Sequence, residues 1–168
     1  KSWKLNVAPR QAPDLRRGET LFVQYCAGCH GTQGKGDGPL AKGMDPAPRN
    51  FHDETRMRQR SFYGLYNTIT LGVRGTPMRA FGELSEADRW ALAFFAAGLR
   101  TDPSMVTKGE ELWRQGLGKA EFSTLRTFVT TPPAQQAPAG SSLDAVRAYL
   151  TRQPHALQTA TQEQLVFP

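Results

Sequence analysis

The stretch Cys26-Ala27-Gly28-Cys29-His30 decides how this chain is read. Two thiols three positions apart, on one helical turn, can add to the two vinyl groups of a single porphyrin. The histidine that follows is then aimed at the iron, so the run is a c-type haem attachment signature. Cys-x-x-Cys alone also suits a redox dithiol or half of a zinc site. The chain has no second cysteine pair, and His52 and His155 are the remaining histidines, so a zinc shell would be poorly assembled. A thioredoxin-like dithiol calls for a strand before it and a helix after it. Here a helical pattern leads in and a glycine-rich stretch leads out.

Upstream of the motif, Asp14 is a good N-cap, and Leu15, Gly18, Leu21, Phe22 and Tyr25 recur at spacings of three and four. That pattern predicts a helix delivering the chain to Cys26. Lys1 to Pro13 reads as an extended leader. Downstream, Gly31 to Phe51 is punctuated by glycine and proline and reads as loop. A loop of that length in a compact domain is uncommon unless it wraps a ligand. Residues 53–72 read as helix in two pieces broken near Gly64, and residues 72–81 as loop. Ser85 with Asp88 resembles a capping box opening a helix to about Leu99.

The composition changes after Arg100. Thr107 and Glu110 predict the cap of a short helix through Leu112 and Trp113, ending near Gly116. A weaker helix follows from Phe122 to Val129. Residues 130–140 are a linker by content. Ser141 with Asp144 caps a last helix through Val146, Tyr149 and Leu150, stopped by Pro154. The expected fold is all-α, divided into a leader (1–13), a mono-haem unit (14–102) and a helical appendage without haem (103–168).

At 168 residues the chain suits one good core, or a core of about 100 residues with an appendage. The longest apolar stretch, Trp90 to Leu99, is far short of a membrane span. No basic-then-apolar signal opens the sequence, so it reads as a mature or excised fragment. Net charge is +6 and unevenly placed: residues 1–79 hold 13 Lys/Arg against 6 Asp/Glu, and the remainder is close to neutral. The basic residues are scattered among glycine, proline and acidic residues rather than aligned on one helix. An acidic partner protein or a cofactor's own acidic groups explain the asymmetry better than nucleic acid.

A thioether raises the haem potential and suits electron transfer, which directs attention to the methionines at 44, 57, 78 and 105. Met78 lies in Gly75-Thr76-Pro77-Met78-Arg79, where Pro77 fixes one backbone angle and holds Thr76 extended. Such a stiff loop can hold a soft, weak ligand in place, so Met78 is the expected second axial ligand and Met44 its rival. Met57, between Arg56 and Arg58, reads as part of a solvated turn, and Met105 lies beyond the closing helix. The second ring nitrogen of His30 needs an acceptor, for which the Pro39 carbonyl is the candidate. Arg74 and Arg79 are the candidates to meet the haem propionates.

Arg17-Gly18-Glu19-Thr20-Leu21-Phe22 through Cys26–Gly31, then Thr76-Pro77-Met78, then Ser85 through Leu92, resemble a class I cytochrome c over residues 14–100. The resemblance implies an all-helical fold whose first and last helices cross, with Gly18 and Phe22 meeting Phe95. A narrower likeness rests on Gly36-Asp37-Gly38-Pro39, Asp45 through Phe51, Ser61 through Tyr66, Thr68 through Gly72 and Asp88 through Phe94. These segments are similar to the periplasmic cytochrome c segment fused ahead of the membrane part of certain bacterial high-affinity iron permeases. Gly109 through Trp113 and Ala145 through Leu150 fit the same extended segment. That likeness implies an excised domain of a larger polypeptide, reaching the membrane only through the permease. No acidic iron-binding motif of the transporter is present, so iron transport itself cannot reside in this stretch.

An internal echo is also legible. Gly18-Glu-Thr-Leu-Phe matches Gly109-Glu-Glu-Leu-Trp, and Ser85-x-x-Asp matches Ser141-x-x-Asp ahead of an apolar helix. The second half is either a haemless, shortened remnant of the same unit or a helical appendage packed on it. Together these features predict a periplasmic electron carrier with one covalent haem c, a redox partner protein, and a place in the redox steps of iron uptake. The alternatives are a general electron-carrier subunit of a periplasmic dehydrogenase or respiratory chain, a haem sensor with an open distal site, and a structural adaptor. No acid, base or nucleophile constellation accompanies the motif, so an enzyme is not expected.

Overall fold

The computed structural model describes residues 8–157, which form nine helices and no strand. Helix α1 (Leu15–Tyr25) starts where Asp14 accepts the amides of Arg16 and Arg17, as the sequence predicts. It runs almost directly into α2 (Ala27–His30), so the cysteine pair sits on the turn that continues α1. The chain then stays irregular to α3 (Glu54–Met57). The expected break near Gly64 falls instead at Arg58–Ser61, because Ser61 caps α4 (Phe62–Leu71) through the Gly64 amide and glycine is carried inside the helix. Helix α5 (Glu86–Gly98) opens on Ser85, whose hydroxyl accepts the Asp88 amide.

Beyond residue 100 the helix boundaries depart from the pattern: the first helix starts earlier than expected, and the helix expected from Phe122 starts only at Leu125. Helix α6 (Pro103–Arg114) begins a full turn before the expected cap at Thr107. Asp102 caps it and Pro103 occupies its first turn, where a missing N–H costs nothing. Thr107 is mid-helix and returns its hydroxyl to the Pro103 carbonyl. Helix α7 (Leu125–Thr130) is followed by α8 (Pro133–Gln136), inside the segment read as a linker. That segment is anchored. Pro133 and Ala137 are buried, the Ala134 amide donates to the Arg58 carbonyl, and the Arg58 guanidinium donates to the Ala137 carbonyl. Helix α9 (Ser142–Arg152) closes the described chain, capped by Ser141.

Two helix crossings organise the molecule. Gly18 of α1 lies so close to α5 that a Cβ there would overlap the Ala91 carbonyl and touch Phe95. Phe22 packs one turn on, with ring centroids 5.3 Å from Phe95. In the second half Gly109 of α6 meets the Ala145 carbonyl and Tyr149 of α9 in the same way. Glycine, an opposing alanine, and an aromatic four residues later recur in both crossings. The echo in the sequence is therefore also an echo in packing.

The halves share one core. Phe62 and Phe94 from the first half pack against Phe128 from the second, with ring centroids 5.1 and 6.3 Å from it, and Phe122, Leu125, Val146 and Leu150 complete the cluster. Fully burying a side chain of this size stabilises by about 1.5–3 kcal/mol, so the joint is a main contributor to stability rather than a loose contact. Met57, expected on a solvated turn, is 3% exposed within this core; of its two flanking arginines Arg56 is exposed, while Arg58 turns inward to Asp144.

Candidate functional site

Cys26 and Cys29 both lie half-buried on the turn that joins α1 to α2, with Gly28 between them. The following loop folds back on this turn through amide bonds from Gly36 to His30, from Gly38 to Cys29 and from Leu40 to Gly28. Only glycine fits at residue 38, where a Cβ would overlap the carbonyls of Ala27 and Gly28. The loop thus forms a collar whose backbone holds the motif rigid. Burial pushes the Cys26 thiol up to about 12, with the neighbouring Cys29 adding to the rise and the Arg79 charge opposing it.

His30 is held from two sides. Its Nδ1 lies 3.0 Å from the Arg49 carbonyl, and its ring stacks on Phe51 with centroids 4.7 Å apart. This corrects the expected acceptor: Pro39 is exposed in the collar, and the partner comes instead from the far end of the loop. With Nδ1 engaged as donor, the neutral tautomer leaves Nε2 as the free lone pair. Burial lowers the pKa of His30, helped by the Arg49 charge and opposed by the bond to the Arg49 carbonyl. Phe51 is itself tied down by its amide bond to Gly34 and its edge contact with Phe22. The 31–51 loop thus braces the histidine without itself being regular. Composition gave no signal for Arg49, because a carbonyl acceptor has no side-chain signature; Phe51, an aromatic closing a Gly/Pro-rich loop, was the available clue.

The Met78 loop comes to the same place. Tyr25, immediately before Cys26, meets Phe81 with centroids 5.8 Å apart, and the Arg79 guanidinium lies over both rings. Met78 is half-buried; its amide bonds to the Thr76 hydroxyl and its carbonyl takes the Val73 amide, so the turn is stiffened as Pro77 suggests. Arg79 is occupied by Glu83 and the Ala80 carbonyl. Arg74 is exposed and makes no ion pair among the described residues. Met44 lies in the collar, half-buried, and Met105 lies in the seam between the halves.

The apolar surface left open fits a flat, greasy group. Of the five large hydrophobic side chains exposed among the described residues, Tyr25 and Leu40 flank the cysteine pair, Leu71 and Val73 flank the Met78 loop, and Val23 lies on α1; Leu71 at 74% and Leu40 at 63% are the most exposed. Leu40 packs directly over Gly28 of the motif. The two thiols and the oriented imidazole thus lie on one turn, and the Met78 loop reaches the start of that turn through the contact of Phe81 with Tyr25.

A family model described as Cytochrome c matches residues 15–99. The chain belongs to the cytochrome c family. Membership carries with it covalently bound haem c as cofactor and electron transfer as the family's chemistry. No curated protein matches the sequence. Among solved structures, this cytochrome is similar to the Kuenenia stuttgartiensis reducing HAO-like protein complex Kustc0457/Kustc0458, at 17% identity and a TM-score of 0.46, over 92% of this chain and 99% of that one. No helix of the described residues is long and apolar enough to cross a membrane.

The second crossing carries no equivalent of the motif. Cys26 and His30 stand eight and twelve residues beyond Gly18; the same steps from Gly109 reach Leu117 and Glu121. Phe122, Leu125, Phe128 and Val129 are buried beyond this point. Side chains fill the volume next to that turn.

Proposed function

We propose that this cytochrome is a periplasmic electron-transfer module holding one haem, attached through thioethers to Cys26 and Cys29, with His30 and Met78 as axial ligands. The bound group supplies a one-electron couple between ferric and ferrous iron. The observation that carries the reading is the state of His30: Nδ1 is tied to a backbone carbonyl and the ring is stacked on Phe51, so in the neutral ring Nε2 is left as the free lone pair on the residue that follows the two thiols in sequence. Orienting bonds of this kind fix the tautomer and raise the basicity of a ligating imidazole. The stiff Met78 loop, next to Cys26 through Tyr25 and Phe81, supports the second ligand. The single attachment motif and the side-chain filling near Leu117 and Glu121 support one haem rather than two.

The chain's own residues do three things for such a group. The collar would shield the His30 side from water, the exposed side chains of Leu40, Leu71 and Val73 would offer apolar surface to the macrocycle, and Arg74, exposed and without an ion pair among the described residues, would be free to meet a propionate. A place in ferrous iron uptake, with a membrane iron permease in the same polypeptide, is the finer reading and rests on the sequence likeness. Redox titration of the purified cytochrome with and without ferrous iron tests it. Reduction of the haem by ferrous iron, at a rate that rises with its concentration, supports the uptake setting. A midpoint far below the ferrous couple, with no such reduction, leaves a general electron carrier. A high-spin optical spectrum would overturn His-Met ligation itself.

A further inference from the structure

The two halves meet along a cavity of about 180 Å³, distant in sequence from the cysteine motif. Its walls include the guanidinium groups of Arg60, Arg100 and Arg147 and the carboxylates of Glu54, Asp102 and Asp144. The carboxylates are largely committed. Asp144 is bound by Arg58 at 3.0 Å and by the Gly140 amide, and Asp102 caps α6 through the amide and hydroxyl of Ser104. Glu54, mostly exposed, comes within 3.1 Å of the Arg100 Nε, yet that buried nitrogen has no hydrogen-bond acceptor because the carboxylate lies off its N–H direction.

Arg147 is the more telling group. It is 4% exposed, its guanidinium lies over the rings of Phe128 and Phe62, and its hydrogen bond among the described residues goes to the neutral amide oxygen of Gln136. No carboxylate lies within ion-pair distance of it among the described residues. Arg60 donates to the Gly64 carbonyl and the Thr68 hydroxyl, again neutral acceptors. With Arg58, four arginines meet three carboxylates, and two of those carboxylates stand on exposed residues at the mouth. Charge buried without a counter-charge is costly, and a natural protein keeps it where something neutralises it.

We infer that this seam is a binding site for a small oxyanion of the phosphate type. Its oxygens take the donors left on Arg147 and Arg100, for which the planar guanidinium fork is suited, and its charge offsets the excess. The mouth between Glu54 and Asp102 lets it exchange with solvent. Because Arg100 ends the first half and Arg147 belongs to α9, the anion ties the halves together across the seam.

The test is thermal unfolding of the full haem-loaded chain in chloride at fixed ionic strength, with chloride exchanged stepwise for inorganic phosphate. The midpoint is expected to rise and to saturate, as it does for any ligand that binds only the folded state. Arg100→Gln and Arg147→Met are each expected to weaken the apparent phosphate affinity at least tenfold. Arg147→Met keeps the stacking volume against Phe62 and Phe128, and Arg100→Gln keeps a polar side chain where the largely buried guanidinium stood, so a phosphate response lost in both, with each variant still unfolding cooperatively, separates loss of the site from misfolding of either. Arg114→Gln, which removes an exposed pair with Glu110, should respond like the unmodified chain. A midpoint indifferent to phosphate, or a response retained in full by both seam variants, overturns the site.

Discussion

Gly109 in α6 is pressed onto the Ala145 carbonyl of α9, with no room between them for a side chain. The pair reproduces the contact of Gly18 with Ala91, and it sets the closest approach of helices in the second half as that contact does in the first.

Gly109→Ala and Gly18→Ala should therefore both destabilise, each by about 1–3 kcal/mol, through overpacking of a helix crossing rather than loss of a contact. Gly82→Ala is the comparison, since the nearest atom to an added Cβ there is 3.7 Å away. Denaturant unfolding measures all three. Equal midpoints for Gly18→Ala and Gly82→Ala would show that α1 and α5 can separate without loss.

Replacement of His30, or of Cys26 and Cys29 together, should prevent accumulation of protein with covalent haem, because thioether and coordinate bonds act on one group. Mass spectrometry and the absorbance of the denatured, pyridine-ligated product check this. Normal covalent haem in Cys26→Ala/Cys29→Ala would end the attachment assignment.

Met78→Ala should leave haem attached and lower the midpoint potential, since the thioether favours the ferrous state. The far-red band of thioether-ligated ferric iron should vanish with it. Met44→Ala should change neither property. If the band is lost from the Met44 variant instead, the ligand lies in the collar.

Arg58→Ala should cost roughly 3 kcal/mol, the order expected when one partner of a largely buried pair is removed and Asp144 is left behind. It also releases the 130–140 segment by deleting the bond to Ala137. Truncation after residue 102 goes further, exposing Phe62 and Phe94 where Phe128 now covers them. The truncated chain should lose a few kcal/mol and keep its low-spin spectrum. Full thermal stability after truncation would contradict the shared core.

The helices next to strong caps were legible in the sequence: Asp14, Ser85 and Ser141 each satisfy early helix amides, and each opens the helix its pattern announces. Misreadings came where local signals compete. Thr107 with Glu110 imitates a capping box, but Asp102-Pro103 starts the helix earlier and the hydroxyl of Thr107 turns back to a carbonyl. Residues 130–140 have the composition of a tether; what orders them is Arg58, 70-odd positions away, and no local pattern contains that information. The same reason hid the acceptor of His30. Donor residues announce themselves by type, whereas Arg49 serves through its backbone, and only the closing of the loop reveals it.

The side-chain filling of the second crossing bears on the order of assembly. Phe122, Phe128 and Val146 complete the α6–α9 end with nothing but polypeptide, so that end can reach its final form while Cys26 and Cys29 are still thiols. The first crossing has an open apolar rim that polypeptide alone does not cover. Phe128 of the α6–α9 end packs on Phe62 and Phe94, so α4 and α5 have a surface to rest on that needs no porphyrin. The half without the cysteine motif thus offers a preformed packing surface to the half that carries it.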